Sequence, residues 1–267
     1  MNIYFHELKS LRKSTIIWTC TMIALAAIFL SIYPSMANEA EDFKELLSGY
    51  PPAVRAMLGI NLDYITSILG FYAMVFSFIV LCGAIQAMIL GVSILSRESR
   101  ERTADFLLVK PVSRSQIISA KLMAALTMIF ATNIVFNIGT LILANSFKTA
   151  DYDHKLFLMI NLTLFFIQLI FLAIGMAVSV FFKKLKTVLP ISLGVVFGLY
   201  MIGALIATGE NNSMERFVSP FKYFDIINII KTASYEVQYL VAGVAITVVS
   251  VAVAYVVYIK KDIHSVS

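Results

Sequence analysis

"SRESRERTADFLLVKPVSRSQI", residues 96–117, is a polar and mostly basic run between two long apolar segments of a 267-residue chain. Lipid does not tolerate such a density of charge, so the run marks a point where the chain leaves one apolar medium before re-entering it. The rest of the sequence agrees with that reading. It is 60% hydrophobic and only 14% charged, with a mean hydropathy of +0.86, whereas soluble domains carry about 25% charged residues. The fold class expected is therefore an all-α polytopic membrane protein. The net charge of +5 is dispersed along the chain, and no soluble domain presents it to nucleic acid. Cys20 and Cys82 both fall in apolar runs and read as small buried hydrophobes.

Working outward from residues 96–117, apolar runs of about 18–25 residues are long enough to cross a bilayer as helices. Six qualify: 16–33, 67–95, 118–145, 155–182, 188–208 and 237–259. They define one transmembrane domain over 1–267, with segments 34–66 and 209–236 outside the cell and 96–117 as a cytoplasmic loop. An even number of spans places both termini on one side, and lysine and arginine tell which. Lys9, Arg12 and Lys13, the six from Arg97 to Lys121, the trio Lys183, Lys184 and Lys186, and Lys260 with Lys261 make 14 of the 21 basic residues. All fall on the side of the termini, which is accordingly expected to be the cytoplasm, with the chain in the plasma membrane. Acids such as Glu39, Asp42, Asp63 and Asp225 gather on the other side.

Before the first span, "MNIYFHELKSLRKST" sets Ile3, Tyr4, Leu8 and Leu11 near one helical face. That pattern fits an interfacial helix over 1–15, the alternative being a simple extension of the first span. "SMA" at 35–37 also matches a small-residue cleavage site. However, the preceding apolar run exceeds a signal-peptide core, and cleavage would leave an odd number of spans.

Motifs for self-contained chemistry are missing. G-x-x-x-x-G-K-S/T, H-E-x-x-H, G-x-S-x-G and C-x-x-C do not occur, and His6, His154 and His264 lie in three separate polar segments. Charge is nearly absent from the spans, and away from their ends the polar groups are neutral, among them Gln86, Asn133, Asn137, Asn161 and Gln168. Ion-coupled pumps usually keep an ionisable group there. No catalytic, cofactor-binding or metal-ligating residue is therefore expected, and uphill transport would need energy from another subunit.

The loop itself has internal order. Arg97 and Glu98 extend the second span into water, and "ADFLLV" at 104–109 is an apolar knob between charged flanks. Too short for a core of its own, the knob calls for a partner's groove. Lys110 and Pro111 end it, because a residue before proline avoids the helix. Ser113 and Gln116 then form an S-x-x-Q capping box for the next helix. The plainer alternative, a solvated connector, accounts for Arg97, Arg100, Arg102 and Arg114 but not for the knob.

With these residues in view, "LSRESRERTADFLLVKPVSRSQIISAKL" resembles the first cytoplasmic loop of permeases of type II ATP-binding cassette (ABC) exporters. Their pattern runs roughly E-x-x-x-G-T-x-E-x-L-L-x-x-P-V-S-R, with a lysine at the start of the following span. Glu98 or Glu101, Thr103, Asp105, Leu107, Leu108, Pro111, Val112, Ser113, Arg114 and Lys121 fall on it. Arg102 stands where the family has glycine, which points to a more continuous helix here. "SPFKYFDI" at 219–226 is similar to a sequence in the family's last outer segment.

The resemblance implies two permease subunits, homodimer or paired paralogues, each offering a coupling helix to a cytoplasmic ATP-binding subunit. That subunit holds ATP and Mg, and this chain binds no cofactor itself. Asp105 to Lys110, Phe106 included, would form the contact, with Glu98 and Glu101 at its base. The family commonly builds its subunit interface and substrate route from the first and fifth spans. In the fifth, Gly194 and Gly198 form G-x-x-x-G, which lets helices approach closely, either within the chain or between subunits. Asn133 and Asn137, one turn apart on the third span, could line a path or bond neighbouring helices. Amphipathic or antimicrobial peptides, small drugs and lipids are the candidate cargoes, with peptide export the first choice. A membrane assembly or signalling subunit without transport is the alternative function.

Two outer stretches complete the reading. Phe43, Leu46 and Leu47 share helical spacing, broken by Gly49, Pro51 and Pro52, while Phe217, Phe221, Tyr223 and Phe224 are expected in the interfacial aromatic belt. Asn211 and Ser213 form a glycosylation sequon.

Overall fold

A computed structural model describes residues 3–101, 113–182, 187–206 and 214–260. Its elements are α1 (Ile3–Asn38), α2 (Ala40–Ser48), α3 (Pro52–Leu58), α4 (Ile68–Glu101), α5 (Arg114–Phe147), α6 (His154–Phe181), α7 (Leu189–Ile206), α8 (Ile226–Thr232) and α9 (Val237–Lys260). Two short 3-10 turns, Glu215–Val218 and Pro220–Lys222, precede α8. Among the described residues α1, α4, α5, α6, α7 and α9 are long and apolar enough to cross a membrane. The protein is an all-α polytopic membrane protein, as its composition demands: in lipid a helix satisfies its backbone hydrogen bonds internally.

Burial sorts the six long helices into a centre and a rim. In α4 and α6, 72% and 61% of the most apolar window is buried, against between 11% and 28% in the other four. Gly91 and Gly175 set the distance between the two central helices. A Cβ on Gly91 would run into the carbonyl oxygen of Leu172, and one on Gly175 would lie 2.7 Å from that of Met88. Backbone thus meets backbone, the close approach that small residues permit in lipid. Gly91→Ala is expected to cost about 1–3 kcal/mol through overpacking, read as a lower unfolding temperature of the purified chain. Gly198→Ala, where a Cβ meets nothing within 4 Å, should leave unfolding of the single chain unchanged.

The N-terminal reading needs correction. Residues 3–15 are not a separate helix over 1–15 but the first turns of α1, which runs unbroken to Asn38. At 1.5 Å per residue its 36 residues span about 54 Å, well beyond the roughly 30 Å hydrocarbon layer. One buried stripe explains the continuity. Glu7, Thr19, Met22, Ala26, Leu30 and Tyr33 recur on a single face, with half-buried Leu11 and Thr15 bridging the first interval. That face packs mainly along α5.

The described chain ends, Ile3 and Lys260, share one end of the bundle. Glu7 reaches Lys121 near the start of α5, and Arg114 in its first turn bonds the carbonyl of Ile259. At the distal end, α2 and α3 cover a small core of Leu47, Ile60 and Ile65. Pro51 and Pro52 start α3 and Gly59, at φ 70°, closes it, a left-handed conformation that glycine adopts without a Cβ penalty. The aromatics of 217–224 line the same end. They pack against the bundle: Phe221 on Phe171 and Tyr200, and Tyr223 and Phe217 on Tyr239.

Candidate functional site

The terminal end of the bundle holds the frame of the charged connection. Ser113 caps α5 as its sequence predicts: its Oγ accepts from Gln116 N–H at 3.2 Å, and Gln116 Oε1 accepts from Ser113 N–H at 3.0 Å. One turn and a half further on, Lys121 has no exposure at all. Its ammonium donates to Ile94 O on α4 at 2.5 Å and lies 3.6 Å from the Glu7 carboxylate on α1. Arg97 on α4 bonds Ser10 on α1, and Tyr4 shares a 3.0 Å bond with Thr127 on α5. On the opposite flank Ser119 and Tyr255 are 2.7 Å apart, beside the Arg114 contact to Ile259 O. The two helix ends that frame residues 102–112 are therefore tied to α1 and α9 by charged and polar bonds.

The residues expected to make the outward contact fall on both sides of the described boundary. Glu98 and Glu101 lie in the last turn of α4. Arg102, Thr103, Asp105, Phe106, Leu107, Leu108, Lys110 and Pro111 lie outside the described residues. The pairing of Glu7 with Lys121 joins residues 114 positions apart, which no local pattern of charge announces. The signal was present in longer register: Glu7 lies four residues before Leu11 and extends the stripe that continues through Thr19 and Met22.

Midway along the bundle, neutral polar side chains knit four helices. Thr19 on α1 donates to Thr132 on α5 at 3.2 Å, Gln86 on α4 to Thr132 at 3.3 Å, and Gln168 on α6 to Gln86 at 2.9 Å. Asn133 closes the chain by donating to Gln168 at 2.6 Å. Nearer the distal end, Tyr72 donates to Asn161 at 2.6 Å, which donates to Thr140 at 3.1 Å. Asn133 thus takes the helix-bonding alternative, whereas the Asn137 amide bonds only the Asn133 carbonyl of its own helix. The Oδ1 atoms of both are buried without a partner. Gly194 and Gly198 mediate no packing among the described residues, since a Cβ at either would meet open space. Among the described residues, no group of histidine, cysteine, aspartate or glutamate could hold a metal ion.

At the distal end lies a cavity of about 630 Å³ between α4, α6, α7 and the segments around Asn61 and Lys222. Its charged lining is Arg216, Lys222, Lys231 and Asp225. Arg216 donates to Glu236 at 2.6 and 3.1 Å and stands 4.1 Å over the Tyr239 ring. Burial opposes its charge, but the hydrogen bonds and charge of Glu236 hold it above its ordinary value. Lys222 behaves in the opposite way. Burial pushes its ammonium below the lysine range, with Asp225 offsetting part of the shift and Arg216 adding to it.

The sequence profile of one family, described as ABC-2 family transporter protein, matches residues 1–263. No curated protein matches the chain.

Proposed function

Because the chain belongs to the ABC-2 transporter family and is thereby a membrane subunit of an ABC transporter, we propose that it is the permease of an ATP-driven exporter. In this reading it forms the substrate pathway with a second permease subunit, either a copy or a paralogue. A separate cytoplasmic subunit binds ATP and Mg and supplies the energy. Both termini and residues 96–117 face the cytoplasm from the plasma membrane. Residues 105–110 dock in a groove of the ATPase, with Glu98, Glu101, Arg102 and Thr103 at the base of that contact. The open face of Gly194 and Gly198 on α7 supports a subunit contact there, because none of the described residues occupies it. Amphipathic or antimicrobial peptides and drugs are the cargo proposed from the resemblance.

The observation that carries the coupling is the tied frame. Lys121 locks the start of α5 to both α1 and α4, while Arg114 and Ser119 lock it to α9. An isolated connector would need no such anchoring, whereas a lever needs it to move helices rather than merely bend.

Purification of the tagged full-length chain from its native membranes tests the reading. It should bring down a P-loop ATPase, and the complex should hydrolyse ATP. A chain that purifies intact with no nucleotide-binding partner would refute it.

A further inference from the structure

We propose that the distal cavity binds an amphiphile with a phosphate or carboxylate headgroup, held by Lys222, with its chain against Val80, Ile167 and Phe221. The inference deepens the proposed function by naming a class of cargo, and rests on that reading only for the step from binding to transport.

Three of the four charged groups around the cavity already have work. Arg216 is committed to Glu236 and to the backbone carbonyl of Lys222, which it meets at 3.0 and 3.2 Å. Asp225 Oδ1 caps α8 by accepting the N–H groups of Ile227 and Asn228. Lys231 sits 5.5 Å over the Tyr64 ring. The Lys222 ammonium has no hydrogen bond or ion pair among the described residues, although its side chain is partly buried. A cation withdrawn from water without a partner is costly, and an anion entering the cavity removes that cost.

Lys222 is also held in place. Its N–H donates to Ser219 O at 2.9 Å, and Ser219 Oγ donates to Leu199 O on α7 at 2.8 Å. The approach depends on Gly203, where a Cβ would lie 2.8 Å from Ser219 Oγ and 3.5 Å from Lys222 Cγ. The amine is therefore presented by an anchored turn rather than by a loose surface stem. The remaining walls include Ile60, Val80, Ile167, Phe221 and Ile226, surface suited to a hydrocarbon chain. The volume lies within the range of about 300–1,000 Å³ usual for small-molecule sites. A lining in which cations outnumber the one carboxylate, beside an apolar wall, is the complement of an anionic amphiphile.

The test uses the full-length chain in phosphatidylcholine nanodiscs, probed with spin-labelled phosphatidylglycerol and, separately, spin-labelled phosphatidylcholine. The wild type should retain phosphatidylglycerol about tenfold better, the effect of one charge-assisted contact. Lys222→Met should bring the two lipids close to parity, and Lys222→Arg, which keeps the charge and reports on folding, should preserve the preference. Inorganic phosphate distinguishes the sources of the anion. Displacement of the labelled lipid assigns recognition to the headgroup alone, and failure to displace assigns it to headgroup and chain together. Equal retention of both lipids by the wild type, or an undiminished preference in Lys222→Met, would overturn the proposal. The binding needs no ATPase. Lipid selection without ATPase recruitment would sink the permease reading alone, and recruitment without lipid selection would sink this site alone.

Discussion

In the assembled transporter, Phe106→Asp combined with Leu107→Asp is expected to reduce ATP hydrolysis to the level of the isolated ATPase while leaving membrane insertion intact. Each of these side chains contributes about 1.5–3 kcal/mol when fully buried in a partner, so the pair accounts for about 3–6 kcal/mol of docking. That alone is more than a hundredfold in affinity, before the cost of placing two carboxylates in an apolar groove. Insertion should not change, because both positions lie between the spans rather than in them. Hydrolysis that remains fully stimulated in this variant would show that the knob at 104–109 is not the contact. The sequence pattern and the family resemblance single out these residues, and the tied helix ends flank them.

The second large effect concerns the tie itself. Lys121→Ala should destabilise the chain by about 3–5 kcal/mol, the usual result of removing one member of a buried ion pair. Glu7 is left almost fully buried without its cation, and Ile94 O loses a donor. Lys121→Met with Glu7→Leu should recover most of the loss, since replacing both charges with apolar groups removes the stranded carboxylate. Unfolding temperatures of the purified variants read both effects. If Lys121→Ala melts with the wild type, the pair does not hold α1 to α5. The double variant has a second use. If it folds well but couples poorly, the charges matter for transmission rather than for assembly.

The parts legible in the sequence were those set by local chemistry. Lipid requires about 20 consecutive apolar residues per crossing, so the spans were visible one by one. The Ser113–Gln116 box was visible because both partners lie within four residues. What the sequence concealed were contacts between distant segments. Gly194 and Gly198 carry the familiar spacing, yet the tight helix crossing belongs to Gly91 and Gly175, which lie on α4 and α6 and meet only in the fold. The polarity of residues 1–15 pointed to a helix of its own. The structure shows that Glu7 is polar because it faces Lys121, not water. Likewise, the aromatics around Pro220 signal an interface by composition alone, and only the fold turns them inward to build one wall of a cavity. Lys222, the group that gives that cavity its character, is one unremarkable lysine among the 21 basic residues until its neighbours are known.

The central claim is that residues 104–110 form a foot gripped by a nucleotide-hydrolysing partner. Disulfide trapping tests it directly: Leu107→Cys, with Cys20 and Cys82 replaced by serine and alanine, is oxidised in native membranes beside an ATPase carrying single cysteines along its surface groove. A cross-linked permease–ATPase band is expected, its yield changing when ATP is added. A Leu107→Cys that labels freely with a water-soluble maleimide while the ATPase is bound, and never cross-links to it, would rule out residues 104–110 as the contact.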